Sequence, residues 1–463
     1  MSRATFPGGI HPPANKWTAD AAIETVPVPP RLVVPMAQSL GAPSLPIVEK
    51  GERVRKGQPI GRPDGFISAF VHAPTSGTVT GIERIVDAAT GQMMDAIAIE
   101  PDGADAWADG CNQPRPWQDL GADAIRQAVA QAGVVGMGGA TFPTHVKLAP
   151  PKGKTVDTIL INGAECEPYL TCDYRVMLDR AADIVTGMRL CMAATGAARG
   201  RVCIEDNKPA AIEAMRQAVD GHEGCRVRVL ETKYPQGAEK QLILAVLGRE
   251  VPTGGLPADV GVVVQNVQTA CAITDAVTRG VPLIERVLTV SGDAAARPAN
   301  FRARIGTPIG LLLARAEVAD GFEELIFGGP MMGKDQFTTD LYVKKGTGGL
   351  LVFRRAAVYD GGPCIRCGAC ARHCPAYLNP SRLSILAESF LDGNLDAIDT
   401  AMDVGLMDCV LCGACAYVCP ARRRMIHLIE MLRGERRKAL ARGRAKEEAH
   451  KAQLKREVDK VAP

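Results

Sequence analysis

Two runs of cysteine near the carboxyl end of the chain restrict its fold and chemistry more than any other feature. They are Cys364, Cys367, Cys370 and Cys374, and then Cys409, Cys412, Cys415 and Cys419. Each run reads C-x-x-C-x-x-C-x-x-x-C-P, and the Pro after the last cysteine helps to turn the chain because it cannot continue a helix. Three thiolates at this spacing can wrap a loop around three iron atoms of a cubic cluster, whose fourth iron needs a ligand from elsewhere.

The spacing is that of bacterial two-cluster ferredoxins, in which the last cysteine of each run binds the cluster of the other run. This pattern predicts one 4Fe–4S cluster on Cys364, Cys367, Cys370 and Cys419, and a second on Cys409, Cys412, Cys415 and Cys374. Zinc sites use two C-x-x-C pairs and disulfide frameworks belong to short secreted chains, so both alternatives fit the pattern less well. A pair of clusters conducts electrons, and the other domains should explain where the electrons come from.

Length and cysteine usage indicate a multidomain protein of a reducing compartment. The 463 residues are enough for about three domains. Seven of the 15 cysteines lie outside the two runs without a pairing pattern. The amino-terminal sequence MSRATFPGGIHPPANK lacks the apolar segment of a signal peptide, and no run of about 18 apolar residues suggests a transmembrane helix. We therefore expect a cytoplasmic chain that can still sit on a membrane protein.

The charge of the chain is unevenly distributed. The net charge is +3, yet residues 421–463 contain 14 Lys and Arg against 6 Asp and Glu, which makes this tail about +8 and the rest about −5. The tail is either a solvated basic helix or a contact for anionic headgroups or an acidic partner. Nucleic acid is a poor candidate because no aromatic residues interleave the charges.

The front of the chain predicts an arm and a small β sandwich. Residues 1–30 are rich in Pro and predict an extended arm. Within residues 31–118, PIVEKGERVRKGQPIG (46–61) and HAPTSGTV (72–79) combine spaced Gly with β-branched residues, which is typical of tight turns between short strands. These segments resemble biotinyl and lipoyl domains, which carry a cofactor on a hairpin Lys. The hairpin here, GFISAFV at 65–71, has no Lys, so we expect a structural relative rather than a carrier.

The middle and the end of the chain predict three further domains and a tail. Residues 119–282 alternate helices (121–132, 174–197, 209–219, 238–247) with strands (155–161, 201–204, 226–230), which favours an α/β sheet. Residues 283–355 predict strands at 285–292 and 324–333 around a helix at 308–315. Residues 356–425 contain the cysteine runs with a helical stretch at 381–403, and residues 426–463 form the basic helical tail.

Four loops of the α/β domain concentrate glycine, amide and acidic residues. They read GMGGATFPTHVK (136–147), NGAECEP (162–168), YPQGAE (234–239) and QNVQT (265–269). A Gly-rich loop can be an ordinary turn, or it can present backbone N–H groups to a phosphate with Lys147 adding a charge. The second loop follows a predicted buried strand, at the edge of an α/β sheet where ligands bind.

The four loops resemble, in the same order, those of the flavin-carrying, NADH-oxidising subunit of respiratory complex I. That family has G-R-G-G-A-G-F-P-T-G-x-K, N-A-D-E-x-E-P-G, a Tyr before G-E-E, and I-N-N-V-E-T. The resemblance implies non-covalent FMN, with Gly136, Gly138 and Lys147 on its phosphate and ribityl chain and Asn162 and Glu165 on the flavin. It also implies that the pocket is closed by Gly237, Glu239, Gln265 and Asn266. Phe142 and Glu167 would lie on the nicotinamide nucleotide as the catalytic candidates.

This chain departs from the complex I pattern at several positions. Met137 replaces an Arg, Ala164 an Asp, Thr141 a Gly, Ala238 a Glu and Gln265 an Asn. The frame for the flavin is therefore better preserved than the contacts to NADH. Residues 283–355 resemble the β-grasp soluble-ligand-binding domain that follows in complex I, and we expect this domain to pack without a ligand.

The whole order of domains resembles the RnfC family, which belongs to the Rnf ion-translocating ferredoxin:NAD oxidoreductase complex. The resemblance implies a multidomain α+β and α/β fold with a lipoyl-like β sandwich, an α/β flavin domain, a β-grasp domain and a helical two-cluster ferredoxin domain. It implies hydride exchange between NAD(H) and FMN and single-electron transfer through the clusters. The partners would be the other components of the Rnf complex, especially the iron–sulfur RnfB subunit, at the cytoplasmic face of the bacterial inner membrane.

Two other functions fit the same residues. One is an iron–sulfur wire and scaffold without NADH chemistry of its own. The other is the diaphorase subunit of a soluble dehydrogenase, which shares the flavin loops but lacks the lipoyl-like front.

Overall fold

The chain folds into two compact units. In this computed structural model, residues 4–358, 360–440 and 442 are described. The first unit contains the chain up to residue 6 and residues 11–357, and the second contains residues 7–10 and the chain from residue 358. Among the described residues, none of the helices is both long and apolar enough to cross a bilayer.

The first domain of the first unit is a sandwich of two short antiparallel sheets. The strands at the front of the chain are β1 (Ile23–Thr25), β2 (Leu32–Pro35), β3 (Leu45–Pro46), β4 (Arg53–Val54), β5 (Pro59–Arg62), β6 (Val71–His72), β7 (Gly77–Val86) and β8 (Met93–Pro101). One sheet of the sandwich has the order β2-β8-β7-β4 and the other β3-β5-β6. Side chains of alternate residues, such as Ile97 and Ile99, face the core because successive strand residues point to opposite faces.

Strand β1 does not belong to this sandwich. Ile23 pairs with Asn300 in parallel, so the amino-terminal arm adds an edge strand to the later mixed sheet. The sequence predicted an extended arm without this partner. The burial pattern of three residues contains no signal for a partner about 280 residues away.

The second domain is a four-stranded parallel sheet with helices on both faces. Its elements are α1 (Ala122–Gln131), α2 (Thr144–Lys147), β9 (Thr158–Gly163), α3 (Cys172–Asp179), α4 (Ala181–Thr195), β10 (Arg199–Glu205), α5 (Pro209–Val219), β11 (Cys225–Leu230), α6 (Glu239–Leu247), β12 (Val262–Asn266) and α7 (Val267–Arg279). The strand order is β11-β10-β9-β12. Ile159 and Ile161 of β9 face one hydrophobic cluster and Leu160 faces another, as expected for a strand buried on both faces.

The single helix predicted at 174–197 is wrong, because the chain breaks between α3 and α4. Arg180 has φ −133°, outside the helical region. Its guanidinium donates to both carboxylate oxygens of Asp275 at 2.8 and 3.0 Å and to Asp183 at 2.7 Å. Asp275 lies on α7, so the break depends on a tertiary ion pair that local helical periodicity cannot reveal.

The third domain is built on a six-stranded mixed sheet in the order β1-β14-β13-β17-β15-β16. Its own elements are β13 (Glu285–Ser291), β14 (Ala299–Arg304), α8 (Ile309–Arg315), β15 (Glu324–Phe327), β16 (Lys334–Asp335) and β17 (Gly349–Phe353). The strand predicted at 324–333 is too long. Strand β15 ends at Phe327 because Gly328 has φ +105°, a conformation that turns the chain.

The second unit is helical. Its helices are α9 (Ala369–Arg372), α10 (Pro380–Leu391), α11 (Ala397–Asp403), α12 (Ala414–Tyr417) and α13, a helix over 425–440. The helical stretch predicted at 381–403 is therefore two helices. Leu383, Ala401 and Ile429 meet in the small core of this unit. The predicted basic tail is helical over 426–440, and residues 441 and 443–463 lie outside the described residues.

Candidate functional site

The four thiols assigned to the first cluster surround one cavity in the second unit. Cys364, Cys367 and Cys370 of the first run line it together with Cys419 of the second run. The structure therefore brings the crossed cysteine to the three local ones. Cys419 also packs beside Cys370 and Met425 in a small apolar cluster. This arrangement has the four thiols that a cubic iron–sulfur cluster needs.

The second set of four thiols is gathered in the same crossed way. Burial raises the pKa of the Cys412 thiol to about 12, and the neighbouring thiols of Cys409 and Cys374 raise it further. Burial likewise raises the pKa of Cys415, and the same two cysteines and Cys412 contribute. Cys374 of the first run thus lies close to the three cysteines of the second.

The two cysteine loops repeat one backbone conformation. Arg366 and Leu411, each directly before the second cysteine of its run, have left-handed φ values of 56° and 55°. Gly368 and Gly413 follow with φ 74° and 79° and begin the short helices α9 and α12. Alternating conformations of this kind point successive N–H groups into one concavity, which suits an anionic cluster.

Backbone N–H groups already point at the sulfur atoms. The amides of Leu411, Ala414 and Ala416 donate to the thiols of Cys409, Cys412 and Cys415, respectively, and lower their pKa values against the effect of burial. Such donors stabilise thiolates and tune the potential of a bound cluster. The cysteine cradles therefore fit 4Fe–4S clusters.

The two cradles differ in exposure. Cys367 of the first cradle is exposed and Cys364 is half-buried, whereas Cys412 and Cys415 of the second cradle are buried. The first cluster would therefore lie nearer the surface of its unit than the second.

The glycine and polar loops of the first unit meet at the carboxyl edge of the parallel sheet. Asn162 and Asn266 are register partners near the ends of the neighbouring strands β9 and β12. Asn266 is also the N-cap of α7, because its side chain accepts from the amide of Gln268 at 2.8 Å. A Cβ on Gly138 would lie 2.8 Å from the amide nitrogen of Asn266, so only glycine allows this approach.

Several predicted flavin contacts are joined to one another. Lys147 Nζ donates to Glu239 Oε1 and to the carbonyl of Val264, both at 2.8 Å. Asn162 Nδ2 donates to the carbonyl of Gly237 at 2.8 Å. These bonds connect the four loops and give the site a defined shape.

Glu165 lies beneath the loops. Its Oε1 accepts from the amide of Asp173 at 2.8 Å, at the first turn of α3. Asp173 in turn accepts from Asn266 Nδ2 at 2.6 Å and from Gln268 Nε2 at 2.8 Å. Burial raises the pKa of the Glu165 carboxyl. Glu165 thus caps α3 in this structure, and its contact with a flavin stays a prediction.

Glu167 and Phe142, the two catalytic candidates, are both half-buried. Glu167 Oε2 accepts from the amide of Met331 at 3.0 Å, and burial raises the pKa of this carboxyl to about 7. Its Oε1 is buried and has no hydrogen-bond partner in the described part of the chain. The carbonyl of Phe142 accepts from the amide of Gly136 at 2.9 Å and closes the glycine loop.

Three cationic side chains that no sequence pattern had singled out hold these loops from behind. Lys16 donates to the carbonyls of Glu165, Glu167 and Leu170 at 2.7, 2.8 and 2.7 Å. Arg286 donates to the carbonyls of Met137 and Lys345 at 3.4 and 2.8 Å. Lys345 donates to the carbonyls of Phe70 and Gly133, both at 2.7 Å. No local pattern could have found them, because each acts over a long separation in sequence.

The open part of the glycine loop fits a phosphate and a flavin. Gly138, Gly139 and Ala140 form this part, and their amides make no backbone hydrogen bond among the described residues. The buried Nε2 of Gln265 likewise lacks a partner within the described ranges. Free amides on a glycine loop, a nearby lysine and an unpaired amide donor are the groups that bind a phosphorylated isoalloxazine.

The comparisons with known families agree with this layout. The family model for the Nuo51 FMN-binding domain matches residues 129–275, that for the RnfC barrel sandwich hybrid domain residues 4–104, and that for a 4Fe–4S dicluster domain residues 362–423. These matches confirm the predicted fold class and the predicted cofactor types, FMN and paired 4Fe–4S clusters.

Three curated relatives, each the component designated C of a translocating complex, align over most of this chain. That of the proton-translocating ferredoxin:NAD(+) oxidoreductase complex of Clostridium ljungdahlii is 49% identical, over 96% of each chain. That of the Na(+)-translocating ferredoxin:NAD(+) oxidoreductase complex of Acetobacterium woodii is 45% identical over 83% of this chain and 87% of its own. That of the ion-translocating oxidoreductase complex of Rhodobacter capsulatus is 43% identical over 86% of this chain and 77% of its own.

These relatives and the FMN-binding and dicluster matches lead to one conclusion. The chain is an NAD-linked oxidoreductase subunit and belongs to the RnfC family of the ion-translocating ferredoxin:NAD(+) oxidoreductase complexes.

Proposed function

We propose that this chain exchanges electrons between NAD(H) and a partner protein, as a peripheral subunit of a membrane-bound ion-translocating oxidoreductase. The observation that carries the proposal is the presence, in one chain, of a glycine-loop site at a parallel-sheet edge and two crossed four-thiol cradles. Bound FMN exchanges a hydride with the nicotinamide and single electrons with 4Fe–4S clusters.

The chain's own residues hold the flavin in this proposal. Amides of the glycine loop at Gly136 and Gly138 bind the phosphate and ribityl chain, with Lys147 as the counter-charge. Asn162 and Glu165 lie at the flavin ring. The pocket wall consists of Gly237, Glu239, Gln265 and Asn266. The Lys147–Glu239 ion pair of 2.8 Å would exchange one partner when the phosphate enters.

Glu167 and Phe142 orient the nicotinamide in this proposal. The unpaired Oε1 of Glu167 is available to accept from the carboxamide N–H of a nicotinamide. The ring of Phe142 excludes water from the contact. Because the pKa of Glu167 is about 7, this carboxyl is partly protonated at neutral pH and can hold a proton beside the reacting ring.

We also propose the surroundings of the chain. The relatives are named as components of translocating complexes, and translocation requires a membrane. The electron partner would be the iron–sulfur RnfB subunit, and the chain would lie at the cytoplasmic face of the bacterial inner membrane. Co-purification of RnfB with this chain from solubilised membranes tests the assignment. Recovery of the chain without RnfB would contradict it.

A wire without NADH chemistry is the second candidate. It is favoured by the mutual pairing of Lys147 and Glu239, which leaves both satisfied without a ligand, and by the departures at Met137, Ala164 and Ala238. In this case the clusters would carry electrons that enter on another component of the complex.

One anaerobic experiment separates the two functions. The purified chain is assayed for iron and flavin, and NADH is then added while the spectrum is recorded. We expect roughly eight iron atoms and about one FMN per chain, with bleaching of the flavin before that of the clusters. A full complement of iron without flavin or any response to NADH would leave only the wire.

A further inference from the structure

The loop between β5 and β6, residues 63–70, lies against the glycine loop. This β5–β6 loop contains the hairpin that would bear the cofactor Lys in a carrier domain. The carbonyl of Phe70 approaches Gly133 so closely that a Cβ there would lie 2.2 Å from the oxygen. The amide of Leu40, on the neighbouring turn of the sandwich, donates to the carbonyl of Thr141 at 3.1 Å. Both flanks of the glycine loop therefore contact the sandwich.

The backbone of the β5–β6 loop is fixed. The amide of Ala42 donates to the carbonyl of Ile67 at 3.1 Å, and Ser68 Oγ donates back to the carbonyl of Ala42 at 2.9 Å. Ser44 Oγ donates to the carbonyl of Ala69 at 2.6 Å. Lys345 of the third domain bonds both Phe70 and Gly133. The loop is thus held by all three domains of the first unit.

Despite this anchoring, its apolar side chains face solvent. Phe66 is 77% exposed, Leu40 52% and Ile67 38%. Scattered exposed apolar residues are ordinary, but here three of them stand on a fixed backbone beside the open 138–140 segment of the glycine loop. A rigid aromatic ring at the edge of a nucleotide site is a platform for stacking a base.

We propose that Phe66, flanked by Leu40 and Ile67, stacks on the adenine ring of the bound nicotinamide dinucleotide. The inference rests on the proposed function, in which Glu167 and Phe142 hold the nicotinamide inside the site. The other end of the dinucleotide must then extend outward past the glycine loop, where Phe66 is exposed. The sandwich thereby contributes to nucleotide binding although it has no carrier Lys.

The test uses two readouts on the whole chain with its cofactors. The first is the KM for NADH with an artificial electron acceptor, and the second is the dissociation constant of ADP-ribose, which contains the adenine half but has no nicotinamide. Phe66→Ala should raise both about five- to tenfold, with kcat and flavin content unchanged. Reduced nicotinamide mononucleotide, which lacks the adenine, should show no change in KM.

Two variants control the experiment. Phe337→Ala removes a ring that is equally exposed, at 78%, outside the β5–β6 loop and should leave both constants unchanged. Phe66→Trp keeps an aromatic face and should restore them. An equal loss of affinity for the mononucleotide would overturn the adenine assignment.

The outcomes for the inference and the proposed function are distinct. If the wild type oxidises NADH and Phe66→Ala changes neither constant, the inference is overturned and the function stands. If the wild type does not oxidise NADH but Phe66→Ala still weakens ADP-ribose binding, the function fails and the stacking site stands. Wild-type protein that binds no ADP-ribose would overturn the inference.

Discussion

The two cysteine cradles and the glycine-loop site solve the problem of cofactor binding in opposite ways. The cradles bring four thiols together around a cavity, and the helices beside them, α9 and α12, are only four residues long. The glycine-loop site is cross-linked by its own side chains, as in the pairs Lys147–Glu239 and Asn162–Gly237. The first arrangement depends on metal for its stability, whereas the second has its shape before the cofactor enters.

Removal of iron should separate the two regions most strongly. Anaerobic chelation should abolish the protection of backbone amides around Leu383, Ala401 and Ile429, since the small core of the second unit has little else to hold it. The amides of β9 and β12 should stay protected. Hydrogen exchange read by mass spectrometry measures both regions in one sample. Persistent protection of Ile429 after complete loss of iron would show that the helical unit folds without metal.

Exchange of single crossed ligands should separate the two cradles from each other. Cys419→Ser should damage the first cluster, and Cys374→Ser the second, so each variant should keep roughly four of about eight iron atoms. Electron paramagnetic resonance distinguishes the clusters by their signals. Cys111→Ser, at a half-buried thiol outside both runs, should change nothing. Loss of the same signal in both cluster variants would show that the ligands are not crossed.

Loss of the lysine charge should weaken FMN binding and spare the clusters. Lys147→Ala should lower FMN affinity roughly tenfold, because hydrogen bonds to charged groups contribute about 1.5–3 kcal/mol. Flavin content after purification and equilibrium titration with FMN measure the effect. The matched variant Lys154→Ala removes a half-exposed lysine paired with Asp259 at 3.1 Å and should bind FMN normally. Full flavin occupancy in Lys147→Ala would contradict the phosphate assignment.

The buried lysine behind the glycine loop should cause a smaller effect that depends on pH. Burial lowers the pKa of Lys345 from its ordinary value of 10.5 to about 7. Between pH 7 and about 10 the unfolded chain binds the extra proton, so this group makes the first unit more stable as pH rises; below pH 7 it contributes no slope. His72 faces Lys345 but has a pKa lowered to about 3 by burial, so it does not titrate in this range.

Comparison with a lysine-free variant isolates this contribution. The difference in unfolding free energy between wild type and Lys345→Met should change by at most about 1.4 kcal/mol per pH unit from roughly pH 7 to 10. Lys344→Met removes the neighbouring lysine, which pairs with Asp87 at 2.8 Å, and should not reproduce that slope. A parallel pH profile for wild type and Lys345→Met would mean that Lys345 is charged in the folded protein across the range.

Local spacing accounts for the success of the cluster prediction and for the limits of the others. Three cysteines per run are neighbours in sequence, so the loop that holds them is encoded within about ten residues, including Gly368 and Gly413 at left-handed φ. The helices at 209–219 and 239–247 were similarly readable, because their apolar periodicity and termini are local. The break at Arg180 was missed because its partner, Asp275, lies 95 residues away.

The cofactor chemistry and the order of the domains could be read from the chain before any coordinates, since thiol spacing and the four ordered loops are properties of short segments. The closure of the site could not. Folding added β1 to a distant sheet, placed Lys16, Arg286 and Lys345 behind the loops, and set the turn at Leu40 against Thr141. These contacts join residues far apart in the chain, and the cations bond carbonyl oxygens because a buried charge must find a partner when water is excluded.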